Sequence, residues 1–256
     1  MNLGLEGKAV IVTGASRGIG RAIAQTLALE GARVALVARS KDALEALALE
    51  LPGSFAIAAD LREPDAAEQV IATTLERYGR LDALVNNAGA TKRGDFLALT
   101  DADWTDGYAL KLFGAMRLTR AAWPHLERTG GSVVNIAGVG GRTPSAEFAI
   151  GASVNAGVMA LTKALADRGR EVSVRVNAVN PGAIATERLQ TRIRAHAQTH
   201  GVTLEAASSA LAADLGIARF GEPEEIARVV AFLLSDAASY LHGAVIDVDG
   251  GQTRTL

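Results

Sequence analysis

The segment Thr13-Gly14-Ala15-Ser16-Arg17-Gly18-Ile19-Gly20 has residue types and spacing suited to one kind of chemistry, the binding of a phosphate. It follows an apolar run, Ala9 to Thr13, and opens a helical pattern. Glycines let the backbone turn sharply and approach an anion, and the start of a helix offers it unpaired N–H groups. The implied ligand is a dinucleotide, with Gly14, Ser16, Arg17, Gly18, Ile19 and Gly20 as the candidate contacts. The second apolar run ends Leu36-Val37-Ala38-Arg39-Ser40, without the acid that binds a ribose 2′-hydroxyl. Arg17 and Arg39 can fork onto a 2′-phosphate instead, so NADP(H) is expected over NAD(H).

Other reactive residues offer less. His196 and His200 share a helix face as two metal ligands would, but no third ligand is evident and no metal is expected. There is no cysteine, hence no disulfide framework and no thiolate chemistry. A net charge of −2 gives no general attraction to nucleic acid or to an anionic membrane. Met1 to Lys8 lacks the basic start and apolar run of a signal peptide, and no apolar run of membrane-spanning length lacks a charge or a Gly. The expectation is a cytoplasmic protein with a small-molecule ligand and neither nucleic acid nor membrane as partner.

The elements that must position these residues alternate along the chain. Short β-branched runs lie at Ala9 to Thr13, Val34 to Val37, Ala56 to Ala58, Ala83 to Val85, Ser132 to Ile136, Val172 to Val179 and Val245 to Val248. Most are apolar throughout, as strands covered on both faces should be. Helical patterns fall near 19–30, 40–50, 64–78, 101–128, 150–168 and 223–235. The repetition predicts a single α/β domain over all 256 residues, a doubly wound seven-stranded parallel sheet with helices on both faces. The segment 185–220 interrupts the alternation and is expected to form a lid at the carboxyl edge of the sheet.

The loop spacing Gly-x-x-x-Gly-x-Gly resembles that of the short-chain dehydrogenase/reductase family, in particular its 3-oxoacyl-carrier-protein-reductase-like members. The likeness extends to Asn86-Asn87-Ala88-Gly89, to Asn180-Pro181-Gly182 with Thr186, to Arg219-Phe220-Gly221-Glu222-Pro223 and to Asp249-Gly250-Gly251. It implies that Asp60 and Leu61 flank the adenine and that Asn87, Ala88 and Gly89 line the adenosine side. Pro181, Gly182, Ile184 and Thr186 would hold the nicotinamide carboxamide. It also implies a homotetramer or homodimer, with the helices at 101–128 and 150–168 in the contacts.

The resemblance breaks where the family carries its proton relay of Ser, Tyr, Lys and Asn. Aligned on Gly131 to Ile136 and on Ala156 to Ala166, Gly138 stands at the Ser, Gly151 at the Tyr and Asn155 at the Lys. Lys111, seven residues beyond Trp104, stands at the Asn. Neither glycine can move a proton, and a positioned acid–base group is worth about 10²–10⁴-fold.

Three readings follow. In a rewired or slow redox enzyme, Lys111 and Asn155 have exchanged places, with Tyr108 one turn before Lys111 as a weak substitute donor. In a regulatory or partner protein, NADP(H) binds without turnover, and the two glycines leave room for a bulkier ligand. In a lyase or isomerase, Glu147, Arg142 or Ser153 does the work.

Overall fold

The computed structural model describes residues 3–254. Its strands are β1 (Ala9–Thr13), β2 (Arg33–Ala38), β3 (Phe55–Ala58), β4 (Ala83–Asn86), β5 (Ser132–Ile136), β6 (Arg175–Pro181) and β7 (Val245–Val248). They form one parallel sheet in the order β3-β2-β1-β4-β5-β6-β7. Strands β1 and β5 are buried at every position, which is why their sequences are apolar or hydrogen-bonded throughout rather than alternating.

The helices are α1 (Gly18–Leu29), α2 (Lys41–Glu50), α3 (Ala66–Tyr78), α4 (Asp101–Tyr108), α5 (Ala115–Thr129), α6 (Ala149–Gly169), α7 (Glu187–His200), α8 (Leu204–Asp214) and α9 (Pro223–Leu234). One core packs α1, α2 and α9 on one face of the sheet through Ile23, Leu27, Leu44, Leu47 and Val230. The other packs α3 and α5 on the opposite face through Val70, Ile71, Leu118 and Leu126. Helices α7 and α8 have a small core of their own, Leu189, Ile193, Ala197 and Ala207, so the expected lid is a helical hairpin.

Two elements differ from the sequence expectation. The pattern at 101–128 is not one uniform helix, because a π-helical turn, Ala109–Gly114, separates α4 from α5. The strand expected from Val172 begins at Arg175, because a 3-10 turn, Arg170–Val172, ends at Ser173 with φ of 58° and reverses the chain first. Helix α6 with its flanking turns, Ala146–Val172, is long and apolar enough to span a bilayer, yet Ile150, Val154 and Val158 are buried as in a core helix.

A buried polar chain holds α5, β4, β5 and α6 in alignment. Asn86 donates from Nδ2 to Thr119 Oγ1 and Asn135 Oδ1, both at 2.9 Å. Asn135 Nδ2 donates to Thr162 Oγ1 at 2.9 Å, and Thr162 donates to the Val158 carbonyl at 2.8 Å. Asn135→Leu strands partners at both ends, and urea unfolding should show a loss of about 2–3 kcal/mol. A loss under about 0.5 kcal/mol would mean that the chain does not hold these elements together.

Candidate active site

The nucleotide end is built around Thr13, at the carboxyl end of β1. Its hydroxyl donates to the Val85 carbonyl at 3.2 Å and accepts the backbone N–H groups of Asn87 at 2.9 Å and Ala88 at 3.0 Å. Asn87 Nδ2 in turn donates to the Thr13 carbonyl at 2.9 Å. Strand order reverses between β1 and β4, so a crevice opens there.

The glycines of the loop are required by what lies against them. Gly14 has φ of +66°, and a Cβ there would stand 2.8 Å from Asn87 Nδ2. A Cβ on Gly20 would run into the Gly14 carbonyl and the Asn87 amide. Gly18 packs on Thr186, with a Cβ position 3.3 Å from Thr186 Cγ2, so the loop reaches the far edge of the crevice. Helix α1 has no side-chain cap and no acid in its first turn, which leaves its N-terminus to an anion.

The remaining cofactor candidates surround this loop. Asp60 accepts from Arg62 N at 3.1 Å, and Leu61 is buried with its carbonyl 2.9 Å from where a Gly114 Cβ would be. Arg39 lies 3.9 Å from Asp60, and Arg17 pairs with Glu187 at 3.3 Å. Both arginines are largely exposed and free to turn to a ligand. Pro181 ends β6, Gly182 donates to the Val248 carbonyl at 3.1 Å, and Ile184 bridges to Gly221 before Thr186 starts α7. The set fits a dinucleotide.

The candidate catalytic residues Lys111 and Asn155 converge on one segment. Lys111 Nζ donates to the Ala137 carbonyl at 2.7 Å, and its stem fills the space beside Gly89, where a Cβ would be 2.8 Å from Lys111 Cδ. Burial pushes the Lys111 ammonium down to about 7, and the charge of Arg188 pushes in the same direction. Asn155 is buried, its amide 2.9 Å from the Cβ position of Gly138, and its Oδ1 has no hydrogen-bond partner. An orphaned acceptor at this depth is fitted to a hydroxyl such as that of a nicotinamide ribose.

The two glycines do not leave room. Gly138 has φ of +153°, a backbone that side-chain-bearing residues rarely adopt. At Gly151 a Cβ would collide with Cε2 and Cζ of the Phe148 ring, which also packs on Gly140. The expected space for a bulkier ligand is therefore filled by a ring that the sequence reading passed over. The available signal was an aromatic three residues before a glycine at the start of a helix.

The weaker candidates are engaged in contacts of their own. Tyr108 stacks on Trp104, with centroids 6.4 Å apart, and leans on Phe113. Arg142 is bound to Asp247 at 3.1 Å, and the Ser153 hydroxyl donates to the Ile150 carbonyl. Glu147 and Ser153 line a hollow of about 660 Å³. The His196 and His200 rings stack at 4.1 Å.

Residues 14–253 match the family model described as enoyl-(acyl-carrier-protein) reductase. The 3-oxoacyl-(acyl-carrier-protein) reductase FabG of Thermotoga maritima is 35% identical over 252 residues, 96% of this chain and 98% of the relative. L-sorbose reductase from Gluconobacter frateurii, solved with NADPH and L-sorbose, superposes with a TM-score of 0.96 at 32% identity over 100% of both chains. The 3-ketoacyl-(acyl-carrier-protein) reductase from Brucella melitensis, solved with NADH, gives 0.85 at 30% identity over 97% of this chain and 99% of that one.

The glycine geometry yields one test. Gly14→Ala places a methyl against Asn87 in a strained backbone, costing about 1–2 kcal/mol, and nicotinamide dinucleotide affinity should fall at least about tenfold. Calorimetry showing unchanged affinity would remove the loop from the binding site.

Proposed function

This chain is a member of the short-chain dehydrogenase/reductase family, and we propose that it is an NADP(H)-dependent carbonyl reductase or alcohol dehydrogenase in which Lys111 moves the proton in place of the missing tyrosine. The reading rests on Lys111, whose part-buried ammonium reaches the segment beside Gly138 and has its pKa lowered to about 7. A proton donor works best when its pKa lies near the operating pH. Asn155, with its free acceptor, takes over the anchoring of a ribose hydroxyl.

A bound reduced nicotinamide supplies the hydride that forms the new C–H bond at the carbonyl carbon. As the C=O π bond opens, the Lys111 ammonium gives a proton to the oxygen and is left as a neutral amine, which water reprotonates. Oxidation of the alcohol runs the same transfer backwards, with the neutral amine as base. Arg17 and Arg39 hold the 2′-phosphate. The NADPH bound to the sorbose reductase supports this choice, and the NADH bound to the Brucella reductase shows that the fold alone does not decide it.

A second reading, an NADP(H)-responsive binding protein without turnover, is favoured by Phe148, whose ring occupies the space next to Gly151. Tight NADPH binding with no oxidation across a broad panel of carbonyl compounds would select it. For assembly we propose a homodimer or homotetramer in the cytoplasm, supported by the row Phe96, Trp104, Tyr108 and Phe113, whose Phe96 and Phe113 are 60% and 43% exposed. Sedimentation equilibrium should find no monomer at micromolar concentration, and a monomer would overturn this arrangement.

Two experiments test the chemistry. In Lys111→Met, kcat should fall about 10²-fold or more while NADPH affinity changes little. In the unsubstituted protein, carbonyl reduction needs the charged amine, so its rate should fall as pH rises through about 7, and alcohol oxidation should rise over the same range. Both profiles should flatten in the variant, and an unchanged profile would remove Lys111 from the reaction. Arg39→Ala should weaken NADPH binding about tenfold and leave NADH unaffected. Equal losses for both cofactors would overturn the NADP(H) preference.

A further inference from the structure

Most arginines near the carboxyl edge have an acid to pair with, as Arg62 has Asp106, Arg142 has Asp247 and Arg219 has Glu225. Arg93, Arg188 and Arg192 do not. Among the described residues, none of the three is within ion-pair distance of a carboxylate. Arg93 lies over the ring of Phe148 at 4.3 Å, and Arg188 donates to the Gly89 carbonyl at 3.0 Å. Arg188 and Arg192 are four residues apart on α7, flanking the buried Leu189 and Ile193, so they rise from one face of the first turns of that helix. Two like charges at that spacing repel, and a helix N-terminus adds further positive potential.

Arg93 and Arg188 report the crowding. Partial burial lowers the affinity of Arg93 for its proton, with the charges of Arg192 and Arg188 adding to it and only Glu147 opposing. Arg188 is lowered by burial and by Arg17. Arg93 and Arg188 keep exposed surface, so an anion arriving from solvent can reach them and offset the repulsion.

The position of the cluster says which anion. Gly89, whose carbonyl holds Arg188, packs against the Lys111 stem, and Phe148, beneath Arg93, packs against Gly151. Gly94 N donates to the Glu147 carbonyl at 3.0 Å and ties the loop carrying Arg93 to that side of the site. The cluster thus borders the proton-moving group on the side facing the helical lid.

We propose that Arg93, Arg188 and Arg192 form an anion pocket for a carboxylate or phosphate carried by the substrate, so that the reacting carbonyl belongs to a small keto acid or phosphorylated keto compound. This rests on the redox reading above and narrows it to a substrate class. The lid's arginines would close over the anion as the substrate seats. Because Arg188 also acts on Lys111, a docked anion would offset that charge and favour the protonated amine when substrate is present.

The test compares matched pairs, acetoacetate against ethyl acetoacetate and dihydroxyacetone phosphate against dihydroxyacetone, by NADPH oxidation. The anionic member of at least one pair should have the higher kcat/KM by about tenfold, and the favoured pair identifies carboxylate or phosphate. Arg93→Met with Arg192→Met should abolish that ratio, and Arg93→Lys with Arg192→Lys should restore part of it, with melting temperature checked for each. Separately, calorimetry on protein saturated with NADP⁺ follows binding of acetoacetate and of inorganic phosphate. Anion binding to the loaded protein that the Met variant loses, without any turnover, would support the pocket and defeat the redox reading. Equal turnover of charged and neutral ketones in all variants would overturn the pocket and leave the redox reading intact. Anions that bind only the unloaded protein, in competition with NADPH, would assign the arginines to the cofactor and also overturn the pocket.

Discussion

The hydroxyl of Thr13 sits where β1 and β4 part company, and three backbone groups depend on it: the Val85 carbonyl and the N–H groups of Asn87 and Ala88. At that point the sheet hydrogen bonds end and the chains turn to opposite faces, so these groups would otherwise be left unpaired in the interior. Satisfying them fixes Asn87, whose amide then presses on Gly14 and Gly20. The glycine loop, the Asn87 loop and the start of α7 at Thr186 are thereby locked around one crevice. The loop glycines answer to a neighbouring side chain as much as to a ligand.

The region around Lys111 and Asn155 shows a different logic, in which several residues form one arrangement. A serine could not take the place of Gly138 without strain, because its φ is +153° and Asn155 stands against it. A tyrosine at 151 would collide with Phe148. Asn155 in turn is shorter than a lysine, and Lys111 enters from the other side to end on Ala137. Each of these residues is fitted to the others, so the four positions form one packed arrangement. The same arrangement leaves Arg93 lying on the Phe148 ring.

Much of this was legible in the sequence, for a physical reason. Strand runs, helix periodicity and glycine turns are local properties, so the sheet and the loop from Gly14 to Gly20 could be read from neighbours along the chain. What escaped is non-local. The lowered proton affinity of Lys111 comes from burial by Gly89 and Ala137 and from Arg188, which belong to three separate segments. Phe148 reads as an ordinary apolar residue until its ring is seen pressed against Gly151. The late start of β6 followed from a left-handed Ser173, a conformation that no side-chain pattern announces.

The π-helical turn from Ala109 to Gly114 sets the direction in which Lys111 points. A widened turn holds one more residue than an α turn, and each residue of an α-helix rotates the next by about 100°. Upstream of it the helix shows Trp104 and Tyr108 to an aromatic row, and downstream it buries Leu118 and Ala122 in the core. The extra residue acts as a phase shifter between two incompatible faces, and Lys111 sits inside it. Removing a single residue there would bring the two halves into step and swing the Lys111 side chain away from Ala137 and from Gly89.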